Sequence, residues 1–376
     1  MTDDNTLIAS LIFKAWDTEV INCAVQGKFV SKSSGEDRQN AGGMIAESEN
    51  VVIKNCTANV QIDLGLGYEA VGGLVGMLRG VVQDSSVSAV VTSKGERVGG
   101  LAGYCDGEKS SVEKNTVQGT VKGEGDLVGG VIGYALDLQM VQNTFSGTVM
   151  GGTFVGGIAG DVNNAFVQRN HAKATVEATG QSVGGAFGST RDSQIIQCTS
   201  SGAVSSNYES NSIGGLIGTS VSSEILQSFA NSQVKGTGAG TIGGLIGSTN
   251  IYLKSDISKV ENCYARGKVQ TTSDERCSLG GLIGSNAKTT VKDCYAANNI
   301  NSHCPTTGGW IGADYDAETE NSFWDIDTSE IESSSTGGIG LRTEEMQTPS
   351  NFSKWSEKIW YLTKGEYPEL ILESFI

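Results

Sequence analysis

The side chains with the most obvious chemistry in this 376-residue chain are eight cysteines and two histidines, His171 and His303. A zinc site would need Cys-x-x-Cys pairs or a cluster of Cys and His, and the sequence has neither spacing. The acidic turn that begins at Asp325 differs from an EF-hand loop, because Glu330 and Thr336 stand where glycine and glutamate are required. The sequence therefore predicts no metal site and no cofactor.

These residues are distributed over a repeat of about 29 residues, whose clearest copy is Val71-Gly72-Gly73-Leu74-Val75-Gly76. Ten copies follow one another almost without interruption, and a period of this size predicts a stacked array of structural units. We expect the paired glycines to lie where the chain bends sharply or where coils pack tightly. These structural glycines are Gly72, Gly73, Gly99, Gly100, Gly129, Gly130, Gly156, Gly157, Gly184, Gly185, Gly214, Gly215, Gly243, Gly244, Gly280 and Gly281.

The second half of each repeat has the pattern of a short β-strand. Residues 20–29 and 260–269 alternate apolar and polar side chains and are bounded by Gly, Asn or Ser. Helices are disfavoured because a glycine pair would interrupt each of them. The pattern predicts an all-β fold, a parallel β-helix or β-solenoid of about 10–11 coils with ~29 residues in each coil.

Aligning the second halves places small and amide side chains in one core column. We expect this column to form a tight buried corner in which stacked amides hydrogen-bond from coil to coil. Its members include Cys23, Cys56, Asn115, Asn143, Asn170, Cys198, Cys263 and Cys294. The pairs Cys23/Cys56 and Cys263/Cys294 are neighbours in the stack, and buried thiols are favoured over disulfides there because a free cysteine behaves as a small hydrophobe.

Carboxylates that could cleave a glycosidic bond would have to converge at separations of about 5–9 Å. The position before the core column holds only two aspartates, Asp84 and Asp293, and they are seven coils apart. The other acidic residues that the repeat alignment places are expected in variable turns. No catalytic residue is therefore predicted.

The charge balance limits the possible partners. With 26 Lys and Arg against 42 Asp and Glu, the net charge is −16, and no basic stripe suited to nucleic acid is evident. No segment approaches the roughly 18 apolar residues of a membrane span, so membrane insertion is not expected. The first five residues lack the layout of a secretory signal, which fits either a protein that is not exported by that route or a piece of a longer chain whose signal lies outside it.

The two ends of the chain differ from the middle. Residues 1–312 are predicted to form the solenoid, with residues 1–30 as a degenerate first coil, and residues 313–376 a terminal coil and an irregular Trp-rich C-terminal cap. Four of the five tryptophans lie in the last 67 residues: Trp310, Trp324, Trp355 and Trp360. Bulky aromatics of this kind can cover the open apolar end of a stack.

The repeats resemble the GLUG motif, which is named for its Gly-Leu-any-Gly core. Residues 73–76, 100–103, 215–218, 244–247 and 281–284 match that core, and the tail resembles the usual ending of such arrays. The resemblance implies a bacterial surface or adhesin-type solenoid, as in filamentous-haemagglutinin-like adhesins and the non-catalytic part of IgA-specific metalloendopeptidases. The His-Glu-x-x-His zinc motif is absent, so the resemblance implies no protease activity.

These observations favour a non-enzymatic stalk, spacer or adhesive surface that binds glycan or protein outside the cell or at its surface. The alternative is a polysaccharide-degrading lyase or hydrolase built on a right-handed β-helix. Ligand contacts are expected in the variable turns, at the aromatic residues Tyr208, Tyr252 and Tyr315.

Overall fold

The computed structural model describes residues 12–31, 39–209, 211–238, 240–250, 258–335 and 337–372. In these residues the chain is nearly all β, with 63% strand and 3% helix, and it winds into a parallel β-solenoid of about ten turns. Each coil adds strands to three sheets that run along the stack. The predicted all-β solenoid is therefore confirmed.

The first sheet, here the glycine sheet, carries the Gly-Gly motif. Its strands pair in register, so that Gly72 lies beside Gly99, and Gly99 beside Gly129. A Cβ on Gly72 would lie 1.9 Å from the carbonyl oxygen of Val75, so close backbone approach at the corner excludes a side chain there. The described strands are Gln39–Gly42, Tyr68–Gly72, Arg97–Gly99, Leu127–Gly129, Phe154–Gly156, Ser182–Gly184, Asn211–Gly214, Gly240–Gly243, Ser278–Gly280 and Thr306–Gly308.

The second sheet, here the bent sheet, turns through a residue with positive φ in most coils. Asn50, Asp137 and Asn164 occupy this bend with φ between 49° and 54°, a conformation that Asn and Asp tolerate better than most residues. The described strands are Ile12–Ile21, Ile45–Lys54, Val75–Leu78, Gly80–Gln83, Ala102–Asp106, Ser111–Glu113, Ile132–Leu136, Gln139–Val141, Ala159–Asn163, Phe166–Gln168, Phe187–Arg191, Gln194–Ile196, Ile217–Val221, Glu224–Leu226, Ile246–Asn250, Ser258–Glu261, Ile283–Ala287, Thr289–Lys292, Ile311–Tyr315 and Glu318–Glu320.

The third sheet, here the long-strand sheet, has the longest uniform strands, most of them eight residues. Its side chains alternate between the apolar interior and solvent, as in Thr57–Leu64, where every second residue is buried. The described strands are Ala24–Ser31, Thr57–Leu64, Ser86–Ser93, Thr116–Gly123, Thr144–Gly151, His171–Ala178, Thr199–Ser206, Phe229–Gly236, Tyr264–Thr271, Tyr295–Asn301, Phe323–Asp325 and Ile339–Leu341. This sheet supplies the broad outer face on which the candidate site lies.

The C-terminal cap covers the stack in two directions. Trp310 and Trp324 are buried in the last coils of the core, whereas Trp355 and Trp360 pack against the outer face of the long-strand sheet at Tyr295. The second arrangement differs from the expected end-cap, because the outer side chains of the last coils are themselves aromatic. The cap contains helices Ile326–Ser329 and Thr343–Met346, a 3-10 turn Pro349–Phe352 and the hairpin Trp360–Tyr361/Glu369–Leu370.

The proposed division of the chain between residues 312 and 313 falls inside a strand. That strand, Ile311–Tyr315, pairs in parallel with Ile283–Ala287 and so belongs to the stack of coils. At the other end, the first described strand, Ile12–Ile21, pairs with Ile45–Lys54 over most of its length.

Candidate ligand groove

A row of outward-facing side chains crosses five coils at the carboxyl ends of the long strands. In-register pairing places each of them beside the next, so the row runs along the axis of the stack. Its members are Lys122, Met150, Glu177, Ser205 and Lys235. Lys122 therefore lies two coils before the carboxylate of Glu177, and Lys235 lies two coils after it.

The row forms one side of a groove, here called the ligand groove. The residues of the other side lie two positions after those of the row in each coil, where the chain again faces solvent. Small residues such as Gly123 and Ala178 occupy the positions between the two sides. The groove has a volume of about 580 Å³. Since stacked strands are about 4.8 Å apart, five coils make it roughly 19 Å long. Its second side consists of Glu124, Gly152, Thr179, Asn207 and Thr237.

A second cavity of about 600 Å³ adjoins the groove and shares Thr237 with it. This cavity is more acidic, because Glu209, Asp274 and Glu275 line it against the single cation Arg276. The two cavities together extend the recess toward the later coils.

The structure places the expected aromatic contacts apart from one another. Tyr208 is 40% exposed and lies between Asn207, which lines the groove, and Glu209, which lines the adjoining cavity. Tyr315 is 66% exposed at the end of a strand of the bent sheet and lines neither cavity. Tyr252 lies outside the described residues. Of the two tyrosines that the structure describes, Tyr208 adjoins the groove.

The residues of the core column meet in a buried ladder rather than at a site. Both the backbone N–H and the side-chain amide of Asn115 donate to Oδ1 of Asn143, at 3.1 and 3.0 Å, and Asn143 donates to Asn170 in the same way. The backbone N–H of Cys263 donates to Sγ of Cys294 at 3.3 Å. Each of these acceptor side chains therefore receives a hydrogen bond from a backbone N–H of the preceding coil.

The position preceding the column has a backbone role. Its occupants have φ between 46° and 58°, so this is a left-handed corner of every described coil. Asp84 and Asp293, the two aspartates at this position, share this corner conformation with Lys114 and Gln142.

The cysteines of the column are free thiols. Burial raises the pKa of the Cys198 thiol to about 12, so it stays protonated and donates toward the carbonyl oxygen of Val167. A disulfide lies elsewhere, between Cys277 and Cys304, in the turns that join the long-strand sheet to the glycine sheet in successive coils. Their turns fall outside the aligned parts of the repeat, so the alignment did not reveal this pair.

The titratable groups with shifted pKa values lie away from the ligand groove. Burial raises the pKa of Asp161, which sits in the bent sheet beside Tyr134 and Ser189. Burial also lowers the pKa of His171 to about 4, and its Nδ1 lies 2.6 Å from Oγ1 of Thr199. Neither group lines the groove, so neither is poised to act on a ligand there.

The described residues include no cluster of three or more His, Cys, Asp or Glu that could hold a metal ion. Asp325, which begins the acidic turn, is buried, and its carboxylate accepts hydrogen bonds from the Thr343 hydroxyl and the Thr328 backbone N–H. Among the described helices, none has the length and apolarity needed to span a bilayer.

Sequence reasoning did not identify the ligand groove, although a signal for it exists. Each member of the row lies seven residues after its column residue, as Lys122 follows Asn115 and Glu177 follows Asn170. The alignment of repeats could therefore have been extended along the strand to reveal the alternating charges.

A parallel solenoid of short coils with a glycine pair at one corner defines a β-solenoid repeat protein. The family model of the GLUG motif matches residues 275–301, which contain one complete copy of the glycine corner and the whole of the following long strand, Tyr295–Asn301. Residues 275–301 therefore carry a GLUG motif.

Two known proteins are similar to parts or all of the chain. A stretch of 128 residues, 32% of this chain, is 34% identical to the "Putative Gly-rich membrane protein" of Evansella cellulosilytica and spans 14% of that protein's length. The crystal structure of a "putative immunoglobulin A1 protease" from Bacteroides ovatus covers 94% of this chain and 86% of its own, at 17% identity and a TM-score of 0.38.

Proposed function

We propose that this chain is a non-catalytic scaffold of a surface or secreted protein, and that its ligand groove binds an extended polymer. The observation that carries the proposal is the in-register row of Lys122, Met150, Glu177, Ser205 and Lys235, which makes a continuous recess along the stack. Repeat arrays commonly use such elongated faces for extended ligands.

The spacing of acids in the groove supports binding without cleavage. Glu124 and Glu177, the acids that line the groove, belong to coils two apart, a separation of roughly 10 Å at the backbone. The carboxylates of glycoside hydrolases instead converge on a single bond. Glu124 also forms an ion pair with Lys94 at 3.1 Å. This arrangement disfavours the alternative of a polysaccharide-degrading enzyme.

Two observations support a location outside the cytosol. The Cys277–Cys304 disulfide fits an oxidising compartment, because disulfides are rare in reducing cytosol. The relative from Evansella carries the name of a membrane protein.

The test is a polysaccharide array combined with assays for reducing and unsaturated ends. We expect saturable binding of at least one polysaccharide and no release of new ends, and substitution of Thr179 by Trp to fill the groove should weaken the binding. Reproducible chain cleavage by the wild-type protein would overturn the non-catalytic assignment. Undiminished binding in Thr179→Trp would show that the groove is not the binding surface.

A further inference from the structure

The outer face of the long-strand sheet has the opposite charge balance to the rest of the chain. Between Ala24 and Asn301 its outward positions hold six Lys or Arg and two acids, whereas the whole chain has 26 against 42. The acids are Asp63 and Glu177. The cations are Lys28, Lys122, Lys173, Lys235, Arg266 and Lys268.

The five lysines of this face have no acidic partner within the part of the chain that the structure describes. Only Arg266 is paired, with Glu369 of the cap. Other lysines do form ion pairs, including Lys14 with Glu47 and Lys292 with Glu320. A group of unpaired ammonium ions on one face of an acidic protein is therefore available to an anionic ligand, and the acidic remainder would orient that ligand toward this face.

The surroundings of the lysines are hydroxyl and amide groups. Rows such as Thr120, Thr148 and Thr175 lie in register beside them and offer hydrogen-bond donors and acceptors of the kind that sugar hydroxyls match. The large exposed apolar residues among these outward positions are Val30 and Val90. Protein interfaces are enriched in aromatic residues and depleted in lysine, so this face suits a polysaccharide better than a protein.

The spacing of the cations favours a polymer with sparse charges. Lys122 and Lys235 lie four coils apart in one row, a distance of roughly 19 Å. Lys173 lies on the coil midway between them but four residues earlier along its strand, roughly 13 Å to the side, so neighbouring ammonium groups are roughly 16 Å apart at the backbone. Double-stranded DNA carries a charge every ~1.7 Å, which these lysines would leave largely unneutralised. Single-stranded nucleic acid would also need aromatic platforms for its bases.

We propose that this face binds an acidic polysaccharide in which neutral sugars separate the carboxylate-bearing ones, with Lys122, Lys173 and Lys235 contacting different carboxylates. This inference rests on the proposed function and names its ligand class. The sugar hydroxyls between the carboxylates lie over the row of Thr120, Thr148 and Thr175.

The experiment uses hyaluronan, which has one carboxylate on every second sugar, with heparin, duplex DNA and a neutral dextran as comparisons. Binding of the full chain is measured by biolayer interferometry over a range of salt concentrations. The test variant is the triple substitution Lys122→Gln, Lys173→Gln and Lys235→Gln. The matched control removes three exposed lysines elsewhere: Lys54→Gln, Lys109→Gln and Lys114→Gln.

We expect hyaluronan to bind the wild-type chain, and its affinity to fall about tenfold in the test variant, since three exposed ion pairs are lost. The control variant should change it less than about twofold, and thermal melting should show that both variants remain folded. Equal losses in the two variants would overturn the assignment of the face. Stronger binding of heparin or DNA than of hyaluronan would overturn the spacing argument.

One outcome separates this inference from the proposed function. Binding of dextran but not of hyaluronan would overturn the acidic ligand and leave the polymer-binding scaffold intact. Failure of all four polymers, together with no binding on the wider polysaccharide array, would overturn both.

Discussion

Oδ1 of Asn143 accepts two hydrogen bonds from Asn115 in the preceding coil, one from its backbone N–H and one from its side-chain amide. The side-chain amide of Asn143 in turn donates to the carbonyl oxygen of Val112 at 2.7 Å. Both residues are almost fully buried, so these bonds are formed away from water. The ladder joins coils through side chains in addition to the strand pairing.

Replacing Asn143 with leucine should destabilise the middle of the stack. The substitution removes the acceptor of two N–H groups of Asn115 and one donor to the carbonyl oxygen of Val112, and buried unsatisfied polar groups cost about 1–3 kcal/mol each. We expect the midpoint of urea denaturation to fall and amide exchange to accelerate in the neighbouring coils. Denaturation of an array need not be two-state, so exchange is the more direct measurement.

The control for this substitution is Asn143→Ser. Serine occupies the same position at Ser85 and Ser228, where its hydroxyl oxygen accepts the N–H of the preceding coil at about 3.0–3.1 Å. The serine variant should therefore lose much less stability than the leucine variant. Equal losses in both would contradict a hydrogen-bonding role for the column.

Substituting Gly73 with alanine should prevent the chain from packing normally. A Cβ there would lie 2.1 Å from the carbonyl oxygen of Gly100 in the next coil, and a backbone atom cannot rotate away as a side chain can. We expect loss of soluble protein or a large fall in thermal midpoint. Gly27→Ala is the control, because its nearest neighbour is the Phe29 ring at 3.1 Å and the next coils carry Val60 and Ala89 at that register. Equal behaviour of the two variants would refute the close-approach explanation.

The coil was predictable because its structural positions recur in every copy of the repeat. Gly72 and Gly99 are the same residue type in the same surroundings, and Asn115 and Asn143 face the same constraint. Close backbone approach and buried hydrogen bonding allow few residue types at such positions, so the same residue types recur there in the sequence.

The ligand groove was not predictable in the same way, because solvent-facing residues of neighbouring coils need not resemble one another. Lys122, Met150 and Glu177 share only a register, and their combined surface exists once the coils are stacked. The Cys277–Cys304 contact likewise depends on the paths of two turns of unequal sequence. The cap packs on Tyr264 and Tyr295 through contacts that occur once in the chain and have no counterpart in the repeat, so the repeat pattern does not predict them.

Stability should depend on pH through His171. Burial lowers its pKa to about 4, whereas the unfolded chain has a histidine pKa near 6.5. Between these values the unfolded state binds a proton that the folded state does not, so the contribution is complete above pH 6.5 and is lost as pH falls toward 4. The urea midpoint of the wild-type protein, measured across this window, should therefore decline.

The control for this pH dependence is His171→Thr, which places threonine between Thr144 and Thr199 of the adjacent coils. Carboxylates titrate in both proteins, so only the difference between their curves reports on the imidazole. We expect the wild-type curve to fall more steeply below pH 6.5. Parallel curves would contradict a partly buried histidine that stays neutral in the folded state.

Arg266 is expected to hold the cap onto the outer face of the last coils. Its guanidinium lies 4.8 to 5.3 Å from the ring centres of Tyr264, Tyr295 and Tyr367, and it forms an ion pair with Glu369 at 2.5 Å. Arg266→Ala removes the cation–π contacts and the ion pair, at a combined cost of about 1–3 kcal/mol. The cap should then open more often, exposing Trp355 and Trp360, both of which are now at most 4% exposed. Tryptophan emission should shift to the red, and limited proteolysis should cleave the chain faster after residue 341. The control is Lys364→Ala, which removes an exposed cation of the cap. An unchanged spectrum and cleavage rate in Arg266→Ala would mean that apolar packing alone retains the cap.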